Sequence, residues 1–325
     1  MREGFHGRRA LVSPHPRLDA RGLAAIADDL MRAIGATSFL LVVGCALGWA
    51  GLDVLRKVLS GHLSPFAVVF FLALGQVPVL ALWGASTGAG PITARYLLVA
   101  GGSVLLNIVA NAAYVAALMR SPLSVSVPLL SLTPAFVATF ARPLLGEWPH
   151  PVQLVGIALV VAGALLLGGA SAENRSLAAW WRALAREPGA KLMLLVAVAW
   201  GLTLPLDKLG VTLVGPARHA LVLCAGIAVG TLLVMLARGS ARELVEIRGG
   251  ALPVLGAAIV VSAVALILQL VVTQRVLVGV VEAVKRAVGN VVALLVGAVA
   301  FHEGVGWRKL GALALLVAGV VLILL

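Results

Sequence analysis

Long, almost unbroken apolar runs set the pattern of this chain. They fall at about 37–56, 65–85, 96–119, 122–145 and 151–170, then at about 192–213, 217–237, 251–273, 276–301 and 308–325. Each is near the roughly 20 residues a helix needs to cross a hydrocarbon core about 30 Å thick. The pattern predicts an all-α integral membrane protein of about ten transmembrane helices, in two groups of five. A polar connector at 171–190 separates the groups, and its Trp180, Trp181, Arg182 and Arg186 suit a membrane interface. Residues 1–35 are polar and arginine-rich, with Leu23, Ile26, Leu30 and Ile34 at helical spacing. They read as a tail, with either a surface amphipathic helix or no fixed structure. No signal-peptide pattern precedes the first run, which is expected to be an uncleaved span.

The two groups read as copies, at 36–170 and 191–325. Trp49, Lys57 and Pro65 match Trp200, Lys208 and Pro216 at one constant offset. At a slightly larger offset Asn107, Tyr114 and Arg120 match Ser262, Gln269 and Arg275, followed by Glu147 with Glu303 and Gly163 with Gly319. Chance rarely aligns Trp, Lys, Pro, Arg and Glu in order, so an internal duplication is expected. Five spans per copy is an odd number, which forces the copies to insert in opposite orientations. Inverted repeats are typical of secondary transporters, whose substrate sites lie near the midplane between the repeats.

The ninth run breaks the apolar pattern most sharply, because Glu282, Lys285 and Arg286 sit near its middle. At 1.5 Å of rise per residue Lys285 lies roughly 12 Å into the run. Each such charge costs on the order of 3 kcal/mol to insert, so intramembrane ionisable residues read as functional unless they are paired. Glu282 and Arg286 are four residues apart and are expected to pair. Lys285 is then expected to be the free cation, available to a substrate carboxylate, phosphate or electron-rich ring, or to a proton.

Other polar positions leave two readings open. Ser103, Asn107, Asn111 and Tyr114 form a stripe on the third run, and Ser262, Gln269 and Thr273 form its counterpart on the eighth. These groups either bond a substrate across a cavity or bond neighbouring helices at about 0.6 kcal/mol each. Ser124, Pro128, Ser131 and Pro134 mark a kinked fourth span with freed carbonyls. Trp49 and Trp200 lie deeper than an interface belt and suit cavity walls or packing. Asp53, Arg56 and Lys57, like Asp207 and Lys208, stand near the ends of their runs, where snorkelling is the expected role and a gating ion pair the alternative. Glu147 and Glu303 precede the fifth and tenth spans, where a carboxylate favours a helix N-terminus. Gly156 and Gly163 permit close helix approach, either within the chain or in a homodimer.

Composition agrees with the runs. The chain is 61% hydrophobic and 12% charged, with mean hydropathy +1.08; soluble domains carry about 25% charged residues. The formal charge of +12 comes from residues scattered between apolar runs, which argues for membrane lipid rather than nucleic acid as the partner. Basic residues balance across the two predicted sides, so they do not set the orientation. Cys45 and Cys224 lie within apolar runs and offer neither a disulfide framework nor metal spacing. The six histidines are scattered, without a metal-ligand pair on a helix, and no phosphate loop or nucleophile elbow appears. No cofactor, no metal and no enzyme activity are expected.

Trp49-Ala50, Trp200-Gly201, the run SLTPAFVATFARPLLGE from Ser131 to Glu147 and the glycine-rich segment Gly156 to Gly169 carry a family likeness. Across about 37–325 the chain resembles the drug/metabolite transporter (DMT) superfamily, in its ten-helix permease form with two EamA-type repeats. The second half departs from that pattern at His302-Glu303 and at Asn290, which stands where the first half has Pro134. The resemblance implies a substrate cavity enclosed by spans 1, 3, 4, 6, 8 and 9, with spans 5 and 10 outside it. It also implies efflux of a small metabolite or drug by alternating access, in the cell (plasma) membrane, with cytoplasmic termini. A lipid-linked sugar flippase is the alternative, and an intramembrane enzyme a remote one. The expected substrate-binding residues are Lys285, Glu282, Arg286, Asn107, Asn111, Tyr114, Gln269, Trp49, Trp200 and Ser131.

Overall fold

The structure, a computed structural model, describes residues 35–88, 90–120, 127–170, 188–245, 249–300 and 306–324. The expected tail helix, the connector, Ser124, His302 and Glu303 lie outside these residues. Among the described residues there are ten α-helices and no strand. They are α1 Ala36–Leu59, α2 Pro65–Ala85, α3 Ala94–Arg120, α4 Thr133–Leu145, α5 Pro151–Ala170, α6 Pro188–Val214, α7 Pro216–Ala237, α8 Leu252–Val272, α9 Val278–Ala300 and α10 Trp307–Leu324. Seven are long and apolar enough to cross a membrane; α4, with 13 residues, is shorter, and α9 carries three charges.

Local sequence sets the boundaries. Proline opens α2 and α7, where a missing N–H costs nothing, and Ser64 Oγ accepts from Ala67 N to cap α2. Gly215 alone joins α6 to α7, at φ 85° and ψ 158°, a conformation open mainly to glycine. The fourth span is where expectation and structure differ in form. It is no single helix over 122–145: Val127–Leu132 is a 3-10 turn and α4 has only 13 residues. Pro128 and Pro134 each lack the N–H of an α-helical bond, so the backbone tightens instead of continuing.

Several helix contacts of one half recur in the other. The contacts α1–α8, α1–α9 and α2–α8 have counterparts in α3–α6, α4–α6 and α3–α7. The contacts α2–α7, α4–α9 and α5–α10 each join matched helices. Helix α5 lies antiparallel on α10, with Gly156 against Gly319 and Gly163 against Ala312 and Leu316. A Cβ at Gly156 would stand 2.7 Å from the Gly319 carbonyl oxygen, so these glycines let the backbones touch. Of the two readings for Gly156 and Gly163, the contact within the chain is the one formed. Large apolar side chains such as Leu82, Leu98, Leu105, Leu233 and Val260 are exposed on the outside, while the polar side chains gather inside.

Candidate functional site

Seven helices converge on two adjoining cavities, with about 380 and 570 Å³ of empty space. Trp49 from α1 and Asn107 and Asn111 from α3 line both. Trp200, Thr203 and Asp207 from α6, Gln269 from α8, and Lys285 and Arg286 from α9 complete the first. The second continues over apolar α2 and α7 side chains, with Arg56, Gln76 and Ser262 as its further polar groups.

The α9 charges form a chelate rather than a pair plus a free cation. Glu282, fully buried, takes Arg286 Nε on Oε1 at 2.6 Å and Lys285 Nζ on Oε2 at 2.8 Å. Lys285 Nζ also donates to Gln269 Oε1 at 2.8 Å and lies 4.9 Å from the centre of the Trp49 ring. The pairing of Arg286 with Glu282 is as expected, whereas the freedom of Lys285 is not. The residues three and four positions after Glu282 both lie over it, so one carboxylate reaches both. Arg286 in turn sits 5.5 Å from the Trp200 ring centre. Two cations therefore each rest on an indole face, an attraction that strengthens as water is excluded.

Matched tryptophans thus hold matched positions in the two halves, Trp49 under Lys285 and Trp200 under Arg286. Tyr114 packs against Trp200 with ring centres 5.3 Å apart. On α3, Asn111 Nδ2 donates to the Asn107 carbonyl oxygen and Asn107 Nδ2 to that of Ser103. That leaves amide oxygens for partners, and Asn111 Oδ1 accepts from Arg56 at 2.9 Å. Ser131 lies apart from the cavity lining and accepts a 2.9 Å hydrogen bond from Asn290 Nδ2, which ties the 3-10 turn to α9. Seven of the ten expected residues line the cavities; Glu282 meets them through Lys285 and Arg286, Tyr114 through Trp200, and Ser131 through Asn290 of α9.

Several residues take places that sequence reasoning did not give them. Arg56 does not snorkel. It is buried between the Trp49 and Tyr114 rings, 5.8 and 5.5 Å from their centres, with Asp53 3.9 Å away. Asp207 is also buried, and accepts on Oδ1 from Ser103 Oγ and from His219 Nε2, the latter at 3.2 Å. His219 is inside α7 rather than on a loop, and Tyr96 Oη lies 3.3 Å from its Nδ1. Lys57 donates to the Leu118 carbonyl oxygen and so closes the end of α3. Glu147 does meet a helix N-terminus, but across the molecule: its Oε2 accepts from Val278 N at the start of α9, and Lys208 pairs with its Oε1. Gln76 donates to the Leu72 carbonyl oxygen and was not singled out by any pattern. Its proximity to Asn107 could not be read without knowing which faces of α2 and α3 meet.

Among the described residues no three His, Cys, Asp or Glu side chains group as a metal site. Residues 36–169 match the EamA-like transporter family, part of the DMT superfamily. No curated protein matches the chain. A solved structure described only as "Crystal structure of protein" aligns with 88% of this chain and 96% of its own, at a TM-score of 0.67 and 20% identity. That likeness is one of fold. The matched segment is confined to residues 36–169, and the members of the family it resembles are transporters; together with the apolar helices it marks an integral membrane protein.

Proposed function

We propose that the protein is a secondary transporter that moves a small anionic or zwitterionic metabolite across the cell membrane by alternating access. The observation that carries this reading is the Glu282–Lys285–Arg286 chelate set against two indole faces at a central cavity. Within the chelate one carboxylate answers two cations, which leaves the Lys285 end of the cavity locally positive and suits a substrate carboxylate or phosphate there. Lys285 is the cation with more to offer, being a compact point charge held by replaceable partners. The amides of Asn107, Asn111 and Gln269 supply orientation, and Trp49 and Trp200 supply flat apolar walls.

The rocking bodies are the repeats at 36–170 and 191–325, inserted with opposite orientations and with both termini cytoplasmic. Support comes from the antiparallel packing of the matched helices α5 and α10, and from helix contacts preserved on exchanging the halves. Alternating access between inverted repeats places the site where the halves meet. Glu147, Lys208 and the first turn of α9 form a polar clasp at one end of that seam. Opening there requires the clasp to part.

The test is counterflow in proteoliposomes with a panel of labelled amino acids, sugar phosphates and carboxylic acids. Exchange of an anionic or zwitterionic compound above protein-free liposomes is the expected result. Exchange of cationic compounds alone would contradict the charge argument.

A further inference from the structure

We propose that Asp207, held by His219 and Ser103, is a proton-binding site of the transport cavity and supplies the coupling proton. This deepens the transport reading and rests on it for the word coupling, though not for the proton site itself.

The geometry is that of a carboxylate prepared for one proton. Both hydrogen bonds to Asp207, from Ser103 Oγ and His219 Nε2, fall on Oδ1. Oδ2 has no such partner among the described residues, and Asp207 lines the same cavity as Lys285 and Arg286. Ser103, His219 and Tyr96 are all fully buried behind it. With Nε2–H donating to Asp207, His219 Nδ1 is left to accept from Tyr96 Oη, 3.3 Å away. That chain fixes the imidazole tautomer and holds Oδ1, so His219 is a positioning residue and Oδ2 is where the proton lands. Gly210 makes room for the ring, since a Cβ there would lie 2.4 Å from imidazole atoms. Plain packing does not call for a buried carboxylate in a cavity wall with one oxygen left without a hydrogen-bond partner among the described residues, and Asp, Glu and His chains within membranes form proton relays.

The charges around the cavity give the proton a consequence. Among the described residues Asp53, Glu282 and Asp207 carry three negative charges, and Arg56, Lys285 and Arg286 three positive ones. The other titratable groups facing Asp207 and its partners are Tyr96, Cys224 and Arg218; Lys208, next in sequence, is engaged by Glu147. A proton from cavity water forms an O–H bond on Asp207 Oδ2, and the set gains one positive charge. An anion entering beside Lys285 then restores neutrality. Proton and anion each make room for the other, which is a positive and reciprocal coupling.

The test of the proton site is pH-difference infrared spectroscopy on the full-length protein in lipid nanodiscs, stepped between about pH 9 and pH 5. A protonated-carboxyl band that is lost in Asp207→Asn and moved in frequency in His219→Gln supports the proposal. A set of carboxyl bands that Asp207→Asn leaves unaltered overturns it. The coupling is read in the counterflow panel. For any compound that wild-type protein concentrates under an acid gradient, His219→Gln should lower the ratio of gradient-driven accumulation to exchange. An unchanged ratio overturns the coupling while leaving transport standing. If wild-type protein exchanges no compound, the transport reading fails and the infrared band alone decides the proton site.

Discussion

Glu282 has two oxygens and two cations, Lys285 buried and Arg286 partly so, and the balance at the residue scale turns on them. Removing one cation leaves the carboxylate with the other, whereas removing the carboxylate leaves two like charges side by side without a partner. Breaking a buried ion pair by deleting one member costs about 3–5 kcal/mol. Glu282→Gln is therefore expected to lower the melting temperature much more than Arg286→Ala, which keeps the Glu282–Lys285 contact. Melting of the purified variants in one detergent checks the order, and a greater loss in Arg286→Ala would show that the chelate is not shared. The sequence made the cluster visible, because charges in an apolar run stand out. It did not reveal who pairs with whom, since spacings of three and four are both close on a helix.

Among elements, α5 and α10 are joined by glycine rather than by polar bonds. A side chain at Gly156 meets the backbone of α10 at Gly319 and Ile323, atoms that cannot swing aside. Overpacking of this kind costs about 1–3 kcal/mol. Gly156→Val is thus expected to lower thermal stability, because the two backbones must part, and the loss is read by melting. A variant as stable as wild type would mean that the helices are not in backbone contact. The ten helices were legible because apolar runs have the length of a bilayer crossing. The misplacement of Arg56 and Asp207 has a definite cause at the same scale. Arg56 ends its apolar run, but α1 continues three residues beyond it to Leu59, and Asp207 stands seven residues before the end of α6 at Val214, so both charges are carried into the interior. His219 lies in the first turn of α7, three residues after Pro216, and its partners Tyr96 and Asp207 come from other helices that sequence spacing does not bring together.

At the scale of the whole molecule, opposite insertion of the halves makes a topological prediction. Thr37 near the start of α1 and Lys191 near the start of α6 are both exposed, and native Cys45 and Cys224 are buried. In inside-out and right-side-out vesicles, Thr37→Cys and Lys191→Cys should react with a membrane-impermeant maleimide from opposite sides. Labelling of both from one side would end the inverted-repeat proposal. The proposed duplication rests in the sequence on Trp49 with Trp200 and Lys57 with Lys208, where side-chain chemistry repeats in order. Their shared roles were not. Trp49 and Trp200 each carry a cation, and Lys57 and Lys208 each bind a carbonyl oxygen, at Leu118 and Val276. Such equivalences emerge only when the two halves are packed together.

The measurement that bears most directly on the central claim compares wild-type protein with Lys285→Ala in proteoliposome counterflow, alongside melting of both. Lys285→Ala keeps the Glu282–Arg286 pair, so the fold should persist with a modest loss of stability. It removes the cation from the Trp49 face and from Gln269, and exchange should fall to the level of protein-free liposomes. A folded Lys285→Ala variant that exchanges the same compound at the wild-type rate would show that the chelate is structural and that the transport site lies elsewhere.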